Sequence, residues 1–114
     1  MRRFGLAIAV LPLLAVPAAA QSYQGNWGCL DTQATRAGIL TIYGSVYGFA
    51  STTFGDTASG TGTLTPYTDG AGINDGPLRA ARGIEAARLV SDPTTGVAVQ
   101  LESSAGVLML CTPR

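Results

Sequence analysis

The chain has 114 residues, with seven arginines against seven aspartates and glutamates, and it contains no lysine and no histidine. Without histidine there is no Ser-His-Asp or Cys-His machinery and no imidazole metal site, and without lysine there is no Schiff-base or lysine-activated serine chemistry. So few cations also argue against nucleic acid, where phosphate neutralisation dominates affinity, and against anionic membrane surfaces.

Arg2 and Arg3 open the chain, Phe4 to Val16 is almost wholly apolar, and Pro17-Ala18-Ala19-Ala20 precedes Gln21. A positive start, an apolar centre and small residues at Ala18 and Ala20 form the pattern of a cleaved secretory signal peptide over 1–20. The apolar stretch is about 13 residues, short of the roughly 20 that span a bilayer. Gln21 stands where a lipoprotein needs cysteine. The expected product is residues 21–114, one small domain exported to the bacterial periplasm or beyond, with no membrane insertion after cleavage. It keeps five arginines against seven carboxylates, a net charge of −2.

Apolar alternation and turn residues then recur about every ten residues, the signature of an antiparallel meander. The predicted strands are Gln24–Leu30, Ala37–Tyr43, Val46–Ser51, Gly62–Tyr67, Ala71–Asn74, Ala86–Asp92, Val97–Glu102 and Val107–Cys111. Gly44-Ser45 reads as a type II′ turn, which sets Tyr43 opposite Val46, Ile42 opposite Tyr47 and Leu40 opposite Phe49. Residues 51–63, rich in Ser, Thr and Gly, read as a mobile loop. Pro77 to Ala87 reads either as a short helix opened by the proline or as a loop with irregular strand. The fold class is therefore all-β: an antiparallel meander of about seven or eight strands forming a barrel or a sandwich, with closure of the sheet left open.

A domain this small is near the lower limit of what an apolar core holds up unaided. Cys29 and Cys111 allow a single pairing, and an exported chain reaches an oxidising compartment, so a disulfide between them is expected. Parity raises a difficulty. Trp27 and Cys29 share a face, whereas the face carrying Leu108 and Leu110 excludes Cys111, so the pairing needs a bulge or an end-of-strand position.

Seven carboxylates remain for catalysis: Asp31, Asp56, Asp69, Asp75, Glu85, Asp92 and Glu102. Most stand at turn positions, where Asp serves the backbone, so no catalytic residue is assigned. Asp69 to Gly76 holds carboxylates and glycines at close spacing but matches no calcium loop; two tight turns account for it, and no metal or cofactor is assigned. Arg79, Arg82 and Arg88 fall within ten residues and read either as a solvated face, partly balanced by Glu85, or as candidate contacts for an anionic partner.

Gly25-Asn26-Trp27 opens the first strand, and a small-residue-x-Trp start followed by a β meander resembles the calycin superfamily of lipocalins, avidins and small secreted metalloprotease inhibitors. The resemblance implies a barrel closed at one end by Trp27, with Arg88 or Arg114 packing near it. It also implies an inhibitory reading in which Gln21–Gln24 inserts into a protease. The expected function is a non-enzymatic module, either one that binds a secreted or envelope protein or a structural protein of the envelope. The alternatives are that inhibitor, a carrier with a pocket lined by Trp27, Tyr43, Tyr47, Phe49 and Phe54, and, last, a carboxylate-based hydrolase. N-terminal sequencing of the exported protein should find a chain beginning at Gln21, partly blocked by cyclisation; an open Met1 overturns the signal-peptide reading.

Overall fold

The structure is a computed structural model that describes residues 23–114. The expected signal peptide, 1–20, lies outside the described residues. The elements in chain order are β1 (Gly25–Asp31), β2 (Arg36–Tyr43), β3 (Val46–Ser51), β4 (Gly60–Tyr67), β5 (Gly70–Ile73), α1 (Pro77–Arg82), β6 (Ala86–Asp92), β7 (Gly96–Ser103) and β8 (Gly106–Pro113). Each strand pairs antiparallel with its chain neighbour, and β8 returns to pair with β1, so the eight strands form a closed barrel.

The β2–β3 hairpin has the register that its alternation predicts: Leu40 faces Phe49, Ile42 faces Tyr47, and Tyr43 faces Val46. Gly44 takes φ 65° while Ser45 stays at negative φ. A positive φ at the first central position alone is the type II′ signature, which matches the twist of the flanking strands. Leu40, Ile42, Tyr47 and Phe49 are all buried on the inner face.

Eight strands leave an interior only wide enough for side chains, and glycines make room for the largest of them. A Cβ at Gly38 would lie 2.6 Å from the Phe49 ring, and one at Gly62 would lie 2.5 Å from the Tyr47 ring. Each ring therefore lies across a bare stretch of the neighbouring strand, and alanine at either glycine would collide with it.

Both ends of the barrel are filled. At the end where β1 begins, Tyr23 and Trp27 are buried, and the Trp27 indole N–H donates to the Tyr23 carbonyl at 2.9 Å. At the other end, Leu78 of α1, Ile84 and Ala58 are fully buried and join the core. Burying a leucine or isoleucine contributes roughly 1.5–3 kcal/mol. The 77–87 stretch thus begins as a helix, with Pro77 in its first turn and Gly83 ending it in a left-handed conformation (φ 68°). The Gly83 N–H donates to the Arg79 carbonyl, the closing bond of an αL cap, and the Ile84 N–H donates to the Leu78 carbonyl as the chain turns toward β6.

Cys29 and Cys111 face each other across the β1–β8 ladder and are disulfide-bonded inside the barrel. Parity is resolved by a bulge. Between Leu101↔Met109 and Glu102↔Val107 the register of β7 and β8 shifts, leaving Leu108 as the extra residue. Leu108 packs against the core, Met109 and Cys111 also point inward, and Leu110 is turned outward beside Leu30.

This disulfide spans a sequence separation of 82 residues. In the chain-entropy model a closure of that length stabilises by about 4–5 kcal/mol. A Cys29→Ala/Cys111→Ala variant should therefore melt ~20 °C or more below the wild type. Thermal unfolding followed by circular dichroism checks this; an unchanged midpoint would mean the bond adds nothing to the closed sheet.

Candidate functional site

Because the strands alternate, the residues that do not fill the interior form a continuous outer wall across β8, β1, β2, β3 and β4. Its rows follow from the ladders. One row runs Asn26, Thr41, Gly48, Thr61, and the next runs Thr112, Gly28, Ile39, Ala50. Tyr43, Val46 and Thr63 form a third row toward the hairpin turn. Two depressions open on this wall, each over a glycine.

The larger, about 590 Å³, is lined by Thr41, Tyr43, Val46, Gly48, Thr61 and Asp75 among others. Tyr43 is 80% exposed and Val46 45% exposed, so an aromatic ring and an isopropyl group stand free at its edge. Hydroxyls line the rest. Thr41 Oγ1 donates to Asn26 Oδ1 at 2.8 Å, and the Asp75 carboxylate accepts from the Thr63 N–H and hydroxyl at 2.8 and 3.0 Å. The second depression, about 370 Å³, lies over Gly28 between Leu30 and Ile39, with Arg36 and Arg114 in its lining.

Tyr47 supports the larger depression from inside. Its phenol donates to the Asp75 carbonyl at 2.8 Å and accepts from the Leu78 N–H at 3.1 Å, tying the start of α1 to the barrel. Burial, the largest effect, raises its pKa, with the Asp75 charge adding to the rise.

The segment from 52 to 59 is a loop, as its composition predicts, and side-chain hydrogen bonds connect it to the barrel. Asp56 is the hub. Its carboxylate accepts from the Ala58 N–H, the Ser51 hydroxyl and the Arg82 guanidinium. These partners, Ala58 first, hold its carboxyl below the ordinary value. The Ser59 hydroxyl accepts from the Ser51 N–H, and Thr52 donates to the Arg36 carbonyl. Sequence composition reads Ser, Thr and Asp as freedom, yet the same side chains satisfy backbone groups once they converge. The loop leaves Phe54 fully exposed.

The three arginines singled out in the sequence are not brought together as one cationic face. Arg79 donates to the Ile73 carbonyl at 2.9 Å, Arg82 pairs with Asp56, and Arg88 bonds Glu102 at 3.0 Å with Asp69 at 3.7 Å. Each is engaged by a different intramolecular partner. Trp27 is a core residue. Of the candidates to pack near it, Arg88 stands on β6 and pairs with Glu102, and Arg114 lines the Gly28 depression on the outer wall. The five aromatics of the expected carrier pocket also separate, since Trp27, Tyr47 and Phe49 are buried while Tyr43 and Phe54 face solvent. Of the segment expected to insert into a protease, Tyr23 is buried, and Gln24 is clamped to Gly44 by hydrogen bonds of 2.7 and 3.3 Å. Gln21 lies outside the described residues.

The Asp69 to Gly76 stretch forms β5 and its two turns, with the two carboxylates directed to Arg88 and Thr63. Among the described residues, no three potential metal-ligating side chains converge. The chain matches no protein-family model, no curated protein and no solved structure at a significant level.

Tyr47→Phe removes one hydroxyl and leaves the Leu78 N–H and the Asp75 carbonyl without that partner, which should cost about 1–3 kcal/mol. The raised phenol pKa has a definite sign. The folded state favours the neutral phenol, so this stability is complete below pH ~10 and is lost as pH rises through the folded-state value. Urea titrations at pH 8 and pH 11 check both: the wild type should lose more stability at pH 11 than Tyr47→Phe does.

Proposed function

We propose that this chain is an exported, non-enzymatic binding module that presents its outer wall to a protein partner. One observation carries the reading: the barrel is filled at both ends, while Tyr43 and Val46 stand exposed beside an open, glycine-floored depression. Packed interiors serve stability, whereas exposed aromatic anchors beside a recess are what protein interfaces use, with tyrosine among the residues that dominate their energetics. The hydroxyl-rich remainder of the wall suits the polar rim of such an interface.

The export half of the reading rests on the N-terminal pattern of 1–20 and on the buried disulfide, which belongs to an oxidising compartment such as the periplasm. The tied-down carboxylates support the non-enzymatic half. Asp31, Asp56 and Asp92 each accept hydrogen bonds from backbone N–H groups two residues on, Asp75 accepts from the Thr63 N–H of β4, and Glu102 and Asp69 share Arg88.

The test is affinity capture from periplasm or culture supernatant on the immobilised 21–114 domain. A partner protein should be retained in defined ratio by the wild type and bound at least about tenfold more weakly by Tyr43→Ala/Val46→Asp, the loss expected when a central anchor is removed. Equal capture by that variant, at an unchanged melting temperature, overturns the assignment of the wall.

A further inference from the structure

The arginines of the described chain divide into two groups. Arg79, Arg82 and Arg88 are engaged within the fold. Arg36 and Arg114 have no carboxylate partner among the described residues, and both line the same depression over Gly28. No Asp or Glu side chain lines it. On a domain of net charge −2 after signal removal, this recess gathers two arginine side chains and no acidic side chain, with apolar walls at Leu30 and Ile39 and hydroxyls at Thr52 and Thr112.

Gly28 itself points the same way. It lies mid-strand in β1, between β2 and β8, at a φ any residue adopts, and a Cβ built there meets nothing within 4 Å. Neither backbone geometry nor packing asks for glycine here. Glycine weakens a strand interior and marks places where another backbone or a ligand approaches closely. What the missing side chain provides is the floor of the trough.

The spacing selects the occupant. Arg114 is in register with Asn26, through its N–H to the Asn26 carbonyl, and Arg36 is opposite Leu30. Asn26 and Leu30 lie four residues apart, about 13 Å along a strand, with Gly28 midway. An extended peptide places its i, i+2 and i+4 side chains on one side at the same interval. We propose that the Gly28 trough docks an extended acidic segment of a partner protein. A carboxylate at i reaches Arg114, a carboxylate at i+4 reaches Arg36, and an apolar side chain at i+2 sits over Gly28 between Leu30 and Ile39. The inference rests on the outer wall being a protein-binding face. The two fail separately, because Arg36 and Gly28 variants leave Tyr43 and Val46 intact.

The experiment is an NMR titration of the 21–114 domain with an acetylated, amidated Glu-Thr-Leu-Thr-Glu peptide. Gln-Thr-Leu-Thr-Gln and citrate serve as comparison probes. The acidic peptide should shift the Gly28, Ile39 and Thr112 amides, with affinity that falls as salt is raised. Arg36→Gln should weaken it about tenfold, as expected for losing a charge-assisted hydrogen bond. Gly28→Val should abolish it while holding or raising the melting temperature, since a β-branched residue suits the strand. Equal shifts from the glutamine peptide, or binding unmoved by both variants, overturn the proposal. Citrate competing as strongly as the peptide also overturns it, by making the recess a small-carboxylate site.

Discussion

Closure of the sheet between β1 and β8 is the constraint on which the rest of the structure depends. Every other ladder joins strands that follow one another in the chain, so each forms across a short connection at small entropic cost. The β1–β8 ladder joins opposite ends of the domain. Once it forms, no strand is left with an open edge, and every side chain is assigned to an inside or an outside. The Cys29–Cys111 bond lies in that ladder, facing inward, where it is shielded from solvent and holds the longest-range pairing of the fold.

A barrel of eight strands has little interior to share. Tyr47 and Phe49 fit because Gly62 and Gly38 yield their side-chain space, and Tyr23, Trp27, Leu78 and Ile84 occupy the ends. The filled interior is why recognition is sought on the outer wall. There glycine has a different meaning. Gly38 and Gly62 are demanded by rings packed against them, whereas Gly28 has open space above it and Gly48 only ordinary contacts near 4 Å. The inner glycines serve packing; the outer ones make recesses.

Much of the fold was legible in the sequence because strand periodicity is strict. The hairpin register about Gly44-Ser45 followed from alternation alone, and it already set Tyr43 on the side opposite Tyr47 and Phe49, which is incompatible with a single aromatic pocket. The candidate site was far less legible. Proximity in sequence singled out Arg79, Arg82 and Arg88, yet the fold consumes all three in hydrogen bonds to Ile73, Asp56 and Glu102. Arg36 and Arg114 are 78 positions apart in the numbering, and only the β2–β1–β8 order brings them to one trough. The available signal was Gly28 itself, a glycine in the middle of the strand with open space above it. The hydrogen-bonded arrangement of the loop at 52–59 was also not legible, because the partners of Asp56 include Arg82 of α1, 26 residues on.

By itself the sequence determined the all-β class, the strand positions, the pairing of Cys29 with Cys111 and the absence of histidine and lysine chemistry. These depend on residue identity and on a period of two, both local properties. Tertiary structure alone decided that the sheet closes, that Leu108 bulges so that Cys111 faces inward, which arginines are neutralised, and where the wall is hollow. Those outcomes depend on contacts between different elements, which have no local sequence signature; closure and the trough over Gly28 depend on β8 meeting β1.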